Sequence, residues 1–354
     1  MRHTPAAAGP RVHVVCGVGG VGKTTLSAAM ALGFARAGQR TVVITVDPAR
    51  RLAEALGVVL GGEPTPVPLG EGRLDALMLD VAGTFDRTVV ALSADPEQAR
   101  ALLANRYYRA VVDRLAGGPE YIALVQLDRL VRDGRWDVVV VDTPPAEDAL
   151  DLFRAPDRLR KVFGRSVLWA LVGGGSRVAE LLTRAGARTL ERLIGEGVVQ
   201  DIVDFFRLVA GTTGGFRAHA DSVSSLFASG RASTWLVADA RAPERGGADA
   251  FREALAALGP PLGGILLNRV APDVDLVDLP SIPGPTDLPE AAWREAVAAI
   301  GQVARDQAAE AARHRAVAAR LSATAPVWPV PDLEPGAEAL VALAAHLPPA
   351  PPRG

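Results

Sequence analysis

The sequence predicts an α/β fold: a doubly wound, mainly parallel sheet with a helical subdomain inserted between its strands. Short apolar runs rich in Val, Ile and Leu recur along the 354 residues, and they are continuous rather than alternating, the pattern of strands covered on both faces. Ala-rich helical stretches separate the runs, each ending near a Gly or Pro signal. A glycine-rich turn joins the first run to the first helical stretch. Together these describe βα units, which close on themselves only as a parallel sheet with helices on both faces.

The elements follow in order. Residues 12–15 form the first strand and 25–37 the first helix, with the string G-V-G-G-V-G-K-T-T between them at residues 17–25. Further strands fall at 41–46, 74–79, 138–141, 235–238, 264–267 and 327–330, and further helices at 248–258 and 289–321. Residues 85–126 and 155–229 break this rhythm because they are long, helix-patterned and without strand runs. The resulting division assigns 11–84, 127–154 and 230–345 to a core, 85–126 and 155–229 to the inserted helical subdomain, and 346–354 to a Pro-rich disordered tail. Apolar stripes at 167–172, 181–194 and 202–209 either pack this subdomain or line a groove for a hydrophobic protein client.

Composition excludes several classes. A formal net charge of -2 with interspersed signs makes no field that would collect nucleic acid or an anionic membrane surface. The single cysteine, Cys16, excludes a disulfide framework or a cysteine-based zinc site within the chain and fits a reducing cytoplasm. At the strand end, an inert buried thiol is the expected state of Cys16. His3, His13, His219, His314 and His346 are scattered without ligand spacing, so no transition-metal site is expected. Residues 1–10 lack the parts of a signal peptide. The longest uncharged apolar stretch, 166–176, is broken by glycines and falls short of the roughly 20 residues a spanning helix needs, so no integral membrane protein is expected.

The turn carries the chemistry. It matches G-x-x-x-x-G-K-[ST], the P-loop, in the strand-to-helix context that confirms it. Backbone N–H groups of Gly19, Gly20, Val21 and Gly22 turn toward phosphates, with Thr25 opening the helix behind them. Lys23 reaches the β- and γ-phosphates, and Thr24 offers its hydroxyl to Mg²⁺. The sheet is therefore of the P-loop NTPase type. Carboxylates at the carboxyl ends of parallel strands face the ligand crevice, and Asp47 and Asp142 follow two of the runs. Phosphoryl transfer needs a carboxylate near Mg²⁺ and a group that orients the attacking water.

Two strings carry a resemblance: V-D-P-A-R-R-L at 46–52 and W-D-V-V-V-V-D-T-P-P at 136–145. With the doubled glycine of the P-loop they are similar to the ArsA-type ATPases, the family of arsenite-pump and tail-anchored-protein-targeting ATPases. The bacterial, actinobacterial-type members are the nearest variety, judged from A-L-D-L-F-R-A-P-D-R-L at 149–159, E-Y-I-A-L at 120–124 and G-G-I-L-L-N-R-V at 263–270. The resemblance implies an ATP hydrolase that uses ATP and Mg²⁺ in the cytoplasm and works as a nucleotide-gated dimer. It implies that Lys23 and Asp47 are catalytic, Asp47 by positioning water, and that Thr24 and Asp142 hold Mg²⁺. It implies that Asn268 reads the adenine edge while Pro331 and Asp332 close over the base. Read from the residues alone, Asn268 is a strand-end amide that equally caps a turn.

Departures from the family pattern shape the expected partner. Where the family has a lysine that crosses the dimer, this chain has Val18. A homodimer therefore hydrolyses slowly unless Arg50, Arg51 or another cation substitutes; the alternatives are a heterodimer with a lysine-bearing paralogous ATPase and an ATP-binding regulatory subunit with little turnover. The second switch reads D-T-P-P-A-E-D-A rather than D-T-A-P-T-G-H-T, so its coupling to a client differs. One cysteine is too few for arsenite binding or an intersubunit zinc.

Overall fold

The computed structural model describes residues 9–68, 72–105, 108, 119–144, 146–162, 198–243, 248–256, 258, 260–274, 289–323, 325–333 and 337–349. The chain runs β1 (Arg11–Cys16), α1 (Lys23–Arg36), β2 (Arg40–Thr45), α2 (Arg51–Leu56), β3 (Thr65–Val67), β4 (Arg73–Met78), α3 (Val81–Leu92), α4 (Pro96–Ala104) and α5 (Pro119–Asp133). It continues with β5 (Val138–Asp142), α6 (Ala146–Val162), α7 (Val198–Ala228), β6 (Ala232–Asp239), α8 (Ala248–Ala256), β7 (Leu262–Val270), α9 (Glu290–Ser322), β8 (Val327–Pro331) and α10 (Ala337–Ala344).

The strands form an eight-stranded sheet in the order β3-β4-β2-β5-β1-β6-β7-β8. Every pairing is parallel except β3 with β4. Chain order reverses direction at β1, which lies between β5 and β6, so the carboxyl end of β1 opens onto the crevice where doubly wound sheets take ligands. Register sets that edge level: Val15 and Thr45 both pair with Asp142.

Continuous apolar strands need cover on both faces, and two clusters supply it. On one face α1 lays Leu26, Met30 and Phe34 over Val15, Val43 and Val140, and α10 extends the layer with Leu340 and Leu343. On the other face Ile122, Leu124 and Leu127 of α5, Leu152 and Phe153 of α6, and Val223 and Leu226 of α7 cover Val12, Val14, Val139 and Val141. A small third cluster joins Val89, Leu102, Tyr108, Val125 and Phe216.

These clusters redraw the division read from the sequence. Residues 119–126 of helix α5 and the last turns of α7, given to the insertion by that division, share one core with β1 and β5, while Val125 of α5 also joins the third cluster. Of the expected insertion, α3, α4 and the middle of α7 meet in the third cluster. The stripes at 167–172 and 181–194 lie outside the described residues. The expected tail begins later than 346, since Leu347 is buried beside α10 and its N–H donates to the Ala344 carbonyl.

Both edge strands carry proline. Pro66 sits in β3, a three-residue strand that sequence reading missed because so short a run shows no period. Pro329 and Pro331 sit in β8, where the Asp332 N–H donates inward to the Val270 carbonyl and so leaves the two prolines at outward-facing positions.

Candidate functional site

The site begins where β1 ends. Gly22 caps α1 with φ 94°, a left-handed conformation that L side chains rarely adopt, and a Cβ there would meet Asn268 Nδ2 at 2.3 Å. Only glycine fits the junction of loop and helix. Gly20 is also left-handed at φ 82°, so the loop turns its backbone twice within three residues.

Lys23 is buried and folds back over the loop, donating from Nζ to the Val18 carbonyl at 2.9 Å. Burial lowers its pKa; the carboxylates of Asp142 and Asp47 and the Cys16 thiol oppose that shift, and Arg51 adds to it. Two carboxylates and one arginine thus act on the charge of the lysine.

Asp142, the last residue of β5, is fully buried. Its Oδ1 accepts from Ser27 Oγ at 3.2 Å and its Oδ2 from Thr45 Oγ1 at 3.0 Å, and the Thr24 hydroxyl also bonds to it. Burial pushes its pKa up to about 6 against the hydroxyl bonds and the Lys23 charge. Ser27 lies one turn beyond Thr24 on α1, and Thr45 lies directly across from Asp142 in register. Sequence reading missed both. The i, i+3 spacing was the available signal for Ser27, whereas Thr45 depends on which strands pair.

Three hydroxyls and a carboxylate make an all-oxygen donor set, the kind a hard divalent cation takes. Among the described residues no group of three or more His, Cys, Asp or Glu converges. Thr24 and Asp142 are the residues of this set that could hold a hard divalent cation such as Mg²⁺. Thr24 and Asp142, named from the sequence, are brought together here.

Asp47 stands just past β2. The preceding Val46 N–H donates to the Asp142 carbonyl at 3.0 Å, tying the segment to β5. Asp47 Oδ1 accepts from the Ala49 N–H at 2.9 Å, and Oδ2 faces Arg51 Nη1 at 3.4 Å. Cys16 is fully buried beside this centre, and burial pushes its thiol to about 12, the state of an inert side chain.

The other half of the crevice is built from β6, β7 and β8. Asn268 is buried and donates from Nδ2 to the Val21 carbonyl at 2.8 Å, so it fastens the P-loop to β7. Arg269 follows at φ 59° and pairs with Asp239 at 2.6 Å. The Arg241 N–H bonds to Asp239 Oδ1, and its guanidinium pairs with Asp332 Oδ2 at 2.5 Å, next to Pro331. This ion-pair chain links the ends of three strands and was not anticipated, since its members lie far apart in sequence.

A parallel sheet whose central strand runs through a glycine-rich loop into a helix, with a lysine buried under the loop and an aspartate ending the next strand, defines a P-loop NTPase-like protein. Residues 10–182, just under half of the chain, match the anion-transporting ATPase family, and over that span the chain is similar to the ArsA-type ATPases. It is 35% identical over 214 residues to an uncharacterised protein of Streptomyces coelicolor, covering 56% of this chain and 54% of that one. It is 32% identical over 152 residues to a putative arsenical pump-driving ATPase of Chlorobaculum tepidum, covering 42% and 36%. It is 28% identical over 176 residues to the ATPase GET3 of Malassezia globosa, covering 46% and 51%. The chain spans roughly a third to a half of the length of the curated relatives it matches.

Proposed function

We propose that this chain binds Mg²⁺ and ATP at the P-loop and hydrolyses the terminal phosphoanhydride. The observation that carries the reading is the bond of half-buried Thr24 to buried Asp142 within the field of buried Lys23, at the ends of β1 and β5. Lys23, released from the Val18 carbonyl, stabilises charge on the β- and γ-phosphates, and the loop N–H groups from Gly19 to Gly22, with Thr24 and Thr25, cradle them. Thr24 and Asp142 hold Mg²⁺, which when bound neutralises phosphate charge. Asp47 orients the attacking water. Asn268, Pro331 and Asp332 lie on the base side, and Asn268 Oδ1 is the amide atom left over from its bond to the loop.

The working form is a nucleotide-gated dimer in the cytoplasm, formed with a second copy or with a paralogous ATPase, and it acts on a hydrophobic protein client. No helix among the described residues is long and apolar enough to cross a membrane. A second reading rests on Val18, half-buried against the α1-side core, where the family places its intersubunit lysine: an ATP-binding regulatory subunit with little turnover. Mg²⁺-dependent ATP turnover at several protein concentrations, with Lys23→Ala as control, decides. Turnover that rises with concentration and vanishes in the variant supports the enzyme, ATP binding without turnover supports the regulatory subunit, and absence of ATP binding sinks both.

A further inference from the structure

Asp47 has to present a carboxylate oxygen to water, yet both of its oxygens are engaged. The Ala49 N–H bond to Oδ1 is local and holds the turn, whereas Oδ2 is covered by the Arg51 guanidinium. Arg51 opens α2 four residues on, with its side chain 69% exposed against 23% for Asp47. A pair so exposed contributes little to stability and is readily exchanged for a better partner.

A better partner has a fixed place. The lysine of a P-loop marks where the β- and γ-phosphates lie, and the charge of Arg51 is felt at Lys23 together with those of Asp47 and Asp142. Val46 is tied to the Asp142 carbonyl, so the segment that carries Arg51 is anchored beside the phosphate end of the crevice. A guanidinium matches phosphate oxygens with two parallel N–H bonds, which one carboxylate oxygen at 3.4 Å does not offer.

We infer that Arg51 is a terminal-phosphate sensor: its guanidinium covers Asp47 Oδ2 in this structure, and a bound triphosphate draws it onto the terminal phosphoryl group, freeing that oxygen for the attacking water. A diphosphate lacks the group that moves the arginine and leaves the pair closed. The inference rests on nucleotide binding at the P-loop, and it makes Arg51 a cation that the chain supplies to its own site. Arg50, its exposed neighbour, caps α2 and serves as the comparison.

Equilibrium binding of ADP and of the β,γ-imido analogue of ATP, each with Mg²⁺, tests this on the full chain. Arg51→Ala is expected to weaken the triphosphate analogue about tenfold, the worth of one charge-assisted contact, while ADP stays within about twofold. Arg51→Lys should recover part of the loss, and Arg50→Ala should match wild type. Equal losses for both nucleotides, no loss, or a loss reproduced by Arg50→Ala would overturn the sensor. Wild-type protein that binds neither nucleotide, with Lys23→Ala indistinguishable from it, would remove the nucleotide reading itself.

Discussion

The proposed phosphate half and the proposed base half of the crevice use the same kinds of groups under opposite conditions. Around Asp142 the partners Ser27 and Thr45 are at most 1% exposed, so each hydrogen bond acts in a low dielectric and loss of any one strands a buried charge. Around Asp332 the Arg241 pair is 52% and 39% exposed, where water and salt screen it. The first half is preorganised by burial and the second is adjustable at its surface. Phosphate recognition should therefore dominate affinity, with base discrimination weaker and easier to change.

The sharpest way to break this contrast is Lys23→Ala, expected to lower ATP affinity by about 100-fold or more, because two phosphates lose a charge-assisted partner. Calorimetry reads it, and near-wild-type binding would move the affinity to the base side. Next comes His13, on β1 between the two halves, whose Nδ1 accepts from Trp235 Nε1 at 2.9 Å. Burial, aided by the Arg11 charge, lowers its pKa from 6.5 to about 4, so the unfolded chain binds a proton across that window and the folded chain does not. The His13 contribution should be full above pH 6.5 and fall by about 3 kcal/mol as pH drops toward 4, while Asp142, whose raised pKa makes its folded form bind the extra proton, works in the opposite direction below about pH 6. Urea melts of wild type and His13→Asn across pH 4–7 check this, the difference between the two profiles isolating the His13 loss.

Smaller effects compare the halves directly. Thr45→Val strips one donor from the buried carboxylate and should cost about 1–3 kcal/mol in urea unfolding. Arg241→Ala removes an exposed pair and should cost under about 1 kcal/mol, with ATP affinity within about threefold of wild type. If the two substitutions cost the same, burial is not what separates the halves.

How legible each half was in the sequence follows from how local it is. The P-loop is one contiguous turn whose spacing is its chemistry, so Gly22, Lys23 and Thr24 could be named, and the parallel sheet followed from unbroken apolar runs such as 138–141. Thr45 could not, because its contact exists only once β2 lies beside β5. Asn268 was named for the base, but its bond to Val21 spans 247 residues and ties it to the loop as well. The first half of helix α5, up to 126, looked like an insertion because periodicity says that a face is buried, not against what; Ile122 and Leu124 meet the sheet. The ion pairs of Asp239 and Asp332 were invisible, since charged residues at strand ends have no pattern of their own.

The prolines at the two sheet edges have a consequence for assembly. An open sheet ordinarily offers a bare row of N–H and C=O groups to any extended segment, including another copy of itself. Pro66 interrupts that row in β3, and Pro329 and Pro331 remove two outward donors from β8. Neither border is a template for a ninth strand. Edge-to-edge pairing between copies of this chain therefore meets an obstacle at both borders of the sheet.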